Sequence, residues 1–132
     1  MREILKKLGI SDNTIKQMEE MCPNITELSA EEIEQKIEIL KELNCNDTQI
    51  RNIISSNAMY LDRINTDIQK LLEKLEELGF DMLNILFDGN PYILNLDAFE
   101  IENYIEARKE NGEALEDIVD EMSSNPYIFE EI

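Results

Sequence analysis

The stretch LEELGFDMLNILFDGNPYIL, residues 75–94, decides how the chain must be read. Leu75 and Leu78 close an apolar stripe at helical spacing, and Gly79 follows at once. Glycine tolerates the left-handed conformation found just past a helix C-terminus, so one helix ends here. Leu83, Leu86 and Phe87 then mark one face of a short second helix. Asn90-Pro91 stops it, because proline has no amide proton to continue the ladder. Ile93 and Leu94 complete the stretch as an apolar pair. Each of these features recurs. Leu5-x-x-Leu8-Gly9 and Leu40-x-x-Leu43-Asn44 precede Leu75-x-x-Leu78-Gly79 at steps of 35, and Asn111-Gly112 follows 33 later. Asn44 is the usual substitute for glycine where the backbone turns left-handed.

The same spacing organises the rest of the chain. Short amphipathic helices are predicted in SDNTIKQMEEM (cap Ser11 or Asp12; Ile15, Met18 and Met21 on one face) and NDTQIRNIISSN (cap Asn46 or Asp47; Ile50, Ile53 and Ile54). The fourth, EALEDIVDEMSSN, has Leu115, Ile118, Val119 and Met122. A joint closes each: CPNIT at Pro23, NAMYL with Ala58 in place of proline, NPYIL at Pro91 and NPYIF at Pro126. Longer helices run back from the joints. One carries the capping-box pair Ser29 and Glu32 ahead of Ile33, Ile37, Leu40 and Leu43. The next shows Ile68, Leu71, Leu72, Leu75 and Leu78. The last pairs Asp97 with Glu100 before Ile101, Tyr104 and Ile105. No segment alternates as a strand would, so the fold is all-α. A unit of this kind cannot bury its own face and must stack on its neighbours, which predicts an α-solenoid. The expected organisation is one domain, 1–132, with repeats 1–39, 40–74, 75–107 and a truncated 108–132 whose end is open for a partner or a second copy.

Residues 40–61, LKELNCNDTQIRNIISSNAMYL, and residues 75–94 together resemble the repeat of the mitochondrial transcription termination factor (mTERF) family. The resemblance covers nearly the whole chain, as three full units and one shortened one. It implies two helices per motif, a 3₁₀ turn after the proline, and a right-handed superhelix. It also implies the family's activity, binding of DNA or RNA in control of transcription or translation.

Composition points elsewhere for the partner. The chain has 30 acids, 12 bases and no histidine, for a net charge of -18. Phosphate backbones repel such a surface. From Phe99 to Ile132 there are 11 acids and 2 bases. Without histidine, the commonest general base and the commonest zinc ligand are both missing. Cys22 and Cys45 are expected to be reduced thiols, and no long apolar run marks a signal peptide or membrane span. A cytoplasmic protein is expected, and its Asn, Ile and Lys usage suits a bacterial, phage or mobile-element genome.

No catalytic set emerges. Glu116, Asp117, Asp120 and Glu121 stack as acid pairs one helical turn apart, but a solvated face explains them. Asp88-Gly89-Asn90 lacks the ligand pattern of a calcium loop. Ser55-Ser56 and Ser123-Ser124 stand at helix ends with no base beside them. Tyr92 and Tyr127, inside the joints, are expected to pack between units. The reading is a non-enzymatic binding module without cofactor or metal. Its partner would be a protein, for which a basic surface would suit the acids, met by the groove or by Glu113, Glu116, Asp117, Asp120 and Glu121. The alternatives are a nucleic-acid-binding regulator and an acidic mimic of nucleic acid. Gly9, Asn44, Gly79, Gly112, Pro23, Pro91 and Pro126 are read as structural.

Overall fold

A computed structural model describes all residues, Met1–Ile132, and every regular element in it is helical. The elements are α1 (Arg2–Lys7), α2 (Asp12–Met21), a 3₁₀ joint (Pro23–Glu27), α3 (Ala30–Glu42), α4 (Asp47–Ser56) and a one-turn joint α5 (Met59–Asp62). They continue with α6 (Asn65–Leu78), α7 (Leu83–Gly89), a joint (Pro91–Asn95), α8 (Ala98–Glu110), α9 (Leu115–Ser124) and a last joint (Pro126–Glu131). The chain divides into two compact units, Met1–Arg63 and Ile64–Ile132. Each holds the order helix, short helix, joint, long helix, short helix, joint. The boundary falls inside the sequence repeat 40–74.

The backbone signals are met one for one. Gly9, Gly79 and Gly112 have φ of 92°, 103° and 93°, and Asn44 joins them at 69°. Helix starts follow the caps. Ser11 Oγ accepts from the Thr14 amide at 3.2 Å. Ser29 and Glu32 exchange both bonds of a capping box, as do Asn46 and Gln49. The Asp97 amide donates to Glu100 Oε1 at 3.0 Å.

The joints share one backbone geometry. Cys22, Asn57, Asn90 and Asn125, the residues before them, lie at φ/ψ of -141/84, -138/72, -150/90 and -132/83. The three joints that begin with proline are 3₁₀, and the one beginning with Ala58 is a short α-turn. The third repeat is shortened in its helix and not in its loop, since α7 has 7 residues against 10 in α2, α4 and α9. Met82 at its start has φ 49°, an uncommon state for a side-chain-bearing residue.

Unit Met1–Arg63 buries Leu5, Ile15, Met18, Ile25, Ile33, Leu40, Ile50, Ile53, Ile54, Tyr60 and Leu61. The Tyr60 hydroxyl, fully enclosed, donates to the Lys36 carbonyl at 2.7 Å. Asn24 Nδ2 donates to Asp62 Oδ1 at 2.6 Å, tying the two joints of this unit. Arg51 reaches back to cap α1, donating to the Leu8 carbonyl at 3.1 Å. Unit Ile64–Ile132 buries Ile68, Leu71, Leu75, Phe87, Ile93, Leu94, Ile101, Ile105, Ile118, Met122 and Phe129. Its Phe80 and Phe129 rings meet at 5.6 Å between centroids. Here the joints are tied by Asn90 Nδ2 donating to the Pro126 carbonyl at 3.1 Å.

The stripes end sooner than their spacing suggests. Met21 is exposed and Leu43, Leu78 and Leu115 are half-buried at helix ends, while Tyr104, in the middle of α8, is half-buried. The larger correction concerns the joint tyrosines. Tyr92 and Tyr127 do not fill space between units but stand 41% and 62% exposed. In Pro91–Asn95 and Pro126–Glu131 the third and fourth residues face the core and the second faces out.

Candidate functional site

The charged surface of Ile64–Ile132 is the site to which both composition and geometry draw attention. This unit carries 18 acids and 4 bases, against 12 and 8 in Met1–Arg63. The turn between α8 and α9 sets Arg108, in the last turn of α8, beside the start of α9. Its guanidinium donates from Nε and Nη2 to both carboxylate oxygens of Glu113, at 2.9 and 2.6 Å. Nη2 also reaches Glu121 at 2.7 Å. Below it, the Tyr104 ring lies 5.7 Å from the guanidinium carbon, and the Tyr104 hydroxyl donates to Glu131 Oε2 at 2.9 Å. A planar fork held by two carboxylates over an aromatic face is the favourable geometry for arginine.

The electrostatics follow from those contacts. The hydrogen bonds that Arg108 donates to Glu113 and Glu121 push it above its ordinary value, so it stays charged at any accessible pH. Arg108 in turn holds the Glu113 carboxyl below its ordinary value. Burial, and then the bond to Glu131, raise the Tyr104 phenol. The arrangement is a clasp that ties the end of α8 to α9 and to the last joint.

The five candidate acids therefore separate into two sets. Glu113 and Glu121 are engaged by Arg108. Glu116 and Asp117, in the first turn of α9, and Asp120 one turn on are exposed with no ion pair. The first two complement the positive end of the α9 dipole, which favours acids there without any partner. No group of three or more acidic or cysteine side chains is arranged to hold a metal ion. Cys22 and Cys45 are both buried free thiols, and burial raises the Cys22 thiol.

A cleft of about 390 Å³ opens between α6 and α8, lined by Asp67, Lys70, Asp97, Ala98, Phe99 and Glu102. Among the bases of this unit, Lys74 pairs with Glu77 and Glu102, Lys109 pairs with Glu106, and Lys70 alone has no ion pair. In Met1–Arg63, Arg2 is taken by Glu19 and Lys6 by Asp12, while Lys36 is buried, which lowers its ammonium below the ordinary value. Lys7, Lys16 and Lys41 are exposed without an ion pair. The Arg108 clasp lies beyond local pattern reading, because its partners are 5 and 13 residues away across a turn.

The family model of mTERF matches residues 2–130. No curated protein matches the chain. No helix is long and apolar enough to cross a membrane.

Proposed function

The chain belongs to the mTERF family, and from that premise we propose that it is a non-enzymatic helical-repeat binding protein of the cytoplasm. Its acidic unit, Ile64–Ile132, takes a protein partner of basic surface. One observation carries this reading. That unit has 18 acids against 4 bases, and three of the four bases are already spent on internal ion pairs. The field left for a partner is almost wholly negative, which attracts cationic surfaces and accelerates their approach. Reversing the unpaired acids with Glu116→Lys, Asp117→Lys and Asp120→Lys tests it. Partners captured at about 50 mM salt should be lost from the triple variant, since screening at low salt is weak. Capture that the reversal does not change would sink the proposal.

Family membership itself favours a second reading, a nucleic-acid-binding regulator of transcription or translation. Lys7, Lys16 and Lys41 of Met1–Arg63 would be its phosphate contacts. Anisotropy with labelled random DNA and RNA at about 50 mM salt, where phosphate binding is strongest, decides between the two. In a variant of the first reading the acidic unit mimics nucleic acid, and DNA should then compete with it for the captured partner.

A further inference from the structure

Within Ile64–Ile132 the two joints pack side by side. Asn90 bonds to the Pro126 carbonyl at 3.1 Å, and a Cβ added to Gly89 would lie 3.2 Å from the Pro126 ring. Tyr92 and Tyr127 are the second residues of these joints, with matching backbone before them, and both are exposed. Two aromatic rings thus stand bare on adjacent turns. Neither joint, nor the short helix before each, α7 and α9, contains a Lys or Arg, whereas they carry Asp88, Glu116, Asp117, Asp120, Glu121, Glu130 and Glu131. Unit Met1–Arg63 has no counterpart, because its two positions hold Met59 and an Asn24 already bonded to Asp62.

We propose that this joint edge docks an arginine-rich segment of a protein partner, with Tyr92 and Tyr127 each receiving one guanidinium. The proposal rests on the basic-protein reading above and names its contact surface. Arginine is the fitting cation: it is weakly hydrated, planar, and stacks on aromatic faces. The unit uses the same pairing internally, with Arg108 over Tyr104. Elements packed side by side are about 8–10 Å apart, roughly one three-residue turn of a polyproline II segment, which sets residues i and i+3 on one face. An Arg-x-x-Arg spacing therefore suits the two rings. Nucleic-acid bases could also stack on tyrosine, but neither the joints nor α7 and α9 supply a cation for their phosphates.

The test is anisotropy at about 50 mM salt with a labelled peptide carrying Arg at every third position. Its Lys counterpart and a labelled single-stranded oligonucleotide serve as controls. The Arg peptide should bind more tightly than the Lys peptide. Tyr92→Ala with Tyr127→Ala should weaken it about tenfold, the size expected of two cation–π contacts. Tyr92→Phe with Tyr127→Phe should leave it unchanged, and amide shifts on titration should centre on Tyr92 and Tyr127. Peptide binding that survives the alanine pair but falls with Glu116→Lys, Asp117→Lys and Asp120→Lys overturns the edge and spares the basic-protein reading. No binding of either peptide overturns both. Oligonucleotide binding lost in the alanine pair overturns both in favour of base stacking.

Discussion

Met1–Arg63 and Ile64–Ile132 are built on one plan, yet equivalent positions do opposite work in them. An offset of 68 pairs Lys36 with Tyr104, Tyr60 with Ile128, Leu61 with Phe129, and Arg51 with Val119. The first unit secures its long helix from inside, through the buried Tyr60 hydroxyl on the Lys36 carbonyl. The second secures its own from outside, through Tyr104, Arg108 and a set of surface carboxylates. Backbone geometry is common to both, so it does not depend on either device. Local signals determine the repeat, and side chains are then free to differentiate the surfaces.

The largest effect should come from the position shared by Leu61 and Phe129. Phe129→Ala removes a fully enclosed ring packed on Phe80, and should cost about 3–5 kcal/mol by urea denaturation. If the loss is under about 1 kcal/mol, the second core is not organised around that ring.

Next comes a contrast of glycines with the same backbone. Gly9 and Gly112 have φ of 92° and 93°, but a Cβ at Gly9 would meet the Arg51 side chain at 3.2 Å, whereas Gly112 opens on empty space. Gly112→Ala should cost about 1 kcal/mol for the left-handed backbone alone. Gly9→Ala should cost more in the same thermal melts, because it also dislodges the Arg51 cap of α1. Equal losses would mean that Arg51 moves aside freely.

Smaller still is the hydroxyl comparison. Tyr60→Phe leaves the Lys36 carbonyl with only its helical bond and should cost about 1 kcal/mol, as for a buried neutral hydrogen bond. Tyr104→Phe gives up exposed contacts and should cost a few tenths. The reverse order would show the surface clasp to be the stronger device.

Smallest, and opposite in sign, is Lys36→Met. Burial lowers the Lys36 ammonium, so the unfolded chain holds that proton more tightly than the folded one. The native lysine therefore penalises folding below its own pKa, and the penalty fades as pH rises towards 10.5. Lys36→Met should stabilise by less than about 1 kcal/mol at neutral pH. The advantage should shrink in alkaline buffer, and chemical denaturation at several pH values checks the trend.

Much of this fold can be read directly from residue types. Asn44 stands where glycine is expected because both tolerate left-handed backbone, and its φ of 69° agrees. The Ile-Leu and Ile-Phe pairs of the joints are buried, as their apolar character requires. What could not be read was direction. Which residue of Pro-Tyr-Ile-Leu turns outward depends on the pitch of the turn, and Tyr92 and Tyr127 carry no local mark of exposure. The surface site was legible only as charge. Nothing near Arg108 in sequence separates the acids that hold it, Glu113 and Glu121, from Glu116, Asp117 and Asp120, which face solvent.

The tight approach of Gly89 to Pro126 also has a use in engineering. The offset of 68 puts Met21 at the place of Gly89 and Ala58 at the place of Pro126. Ala58 already has φ -61°, the value to which proline is fixed. The residue before it, Asn57, shares its backbone with Asn125. Transplanting the second unit's solution into the first, as Met21→Gly with Ala58→Pro, would thus make the joints uniform. The chain carries within itself the template for a more rigid version of its own first half.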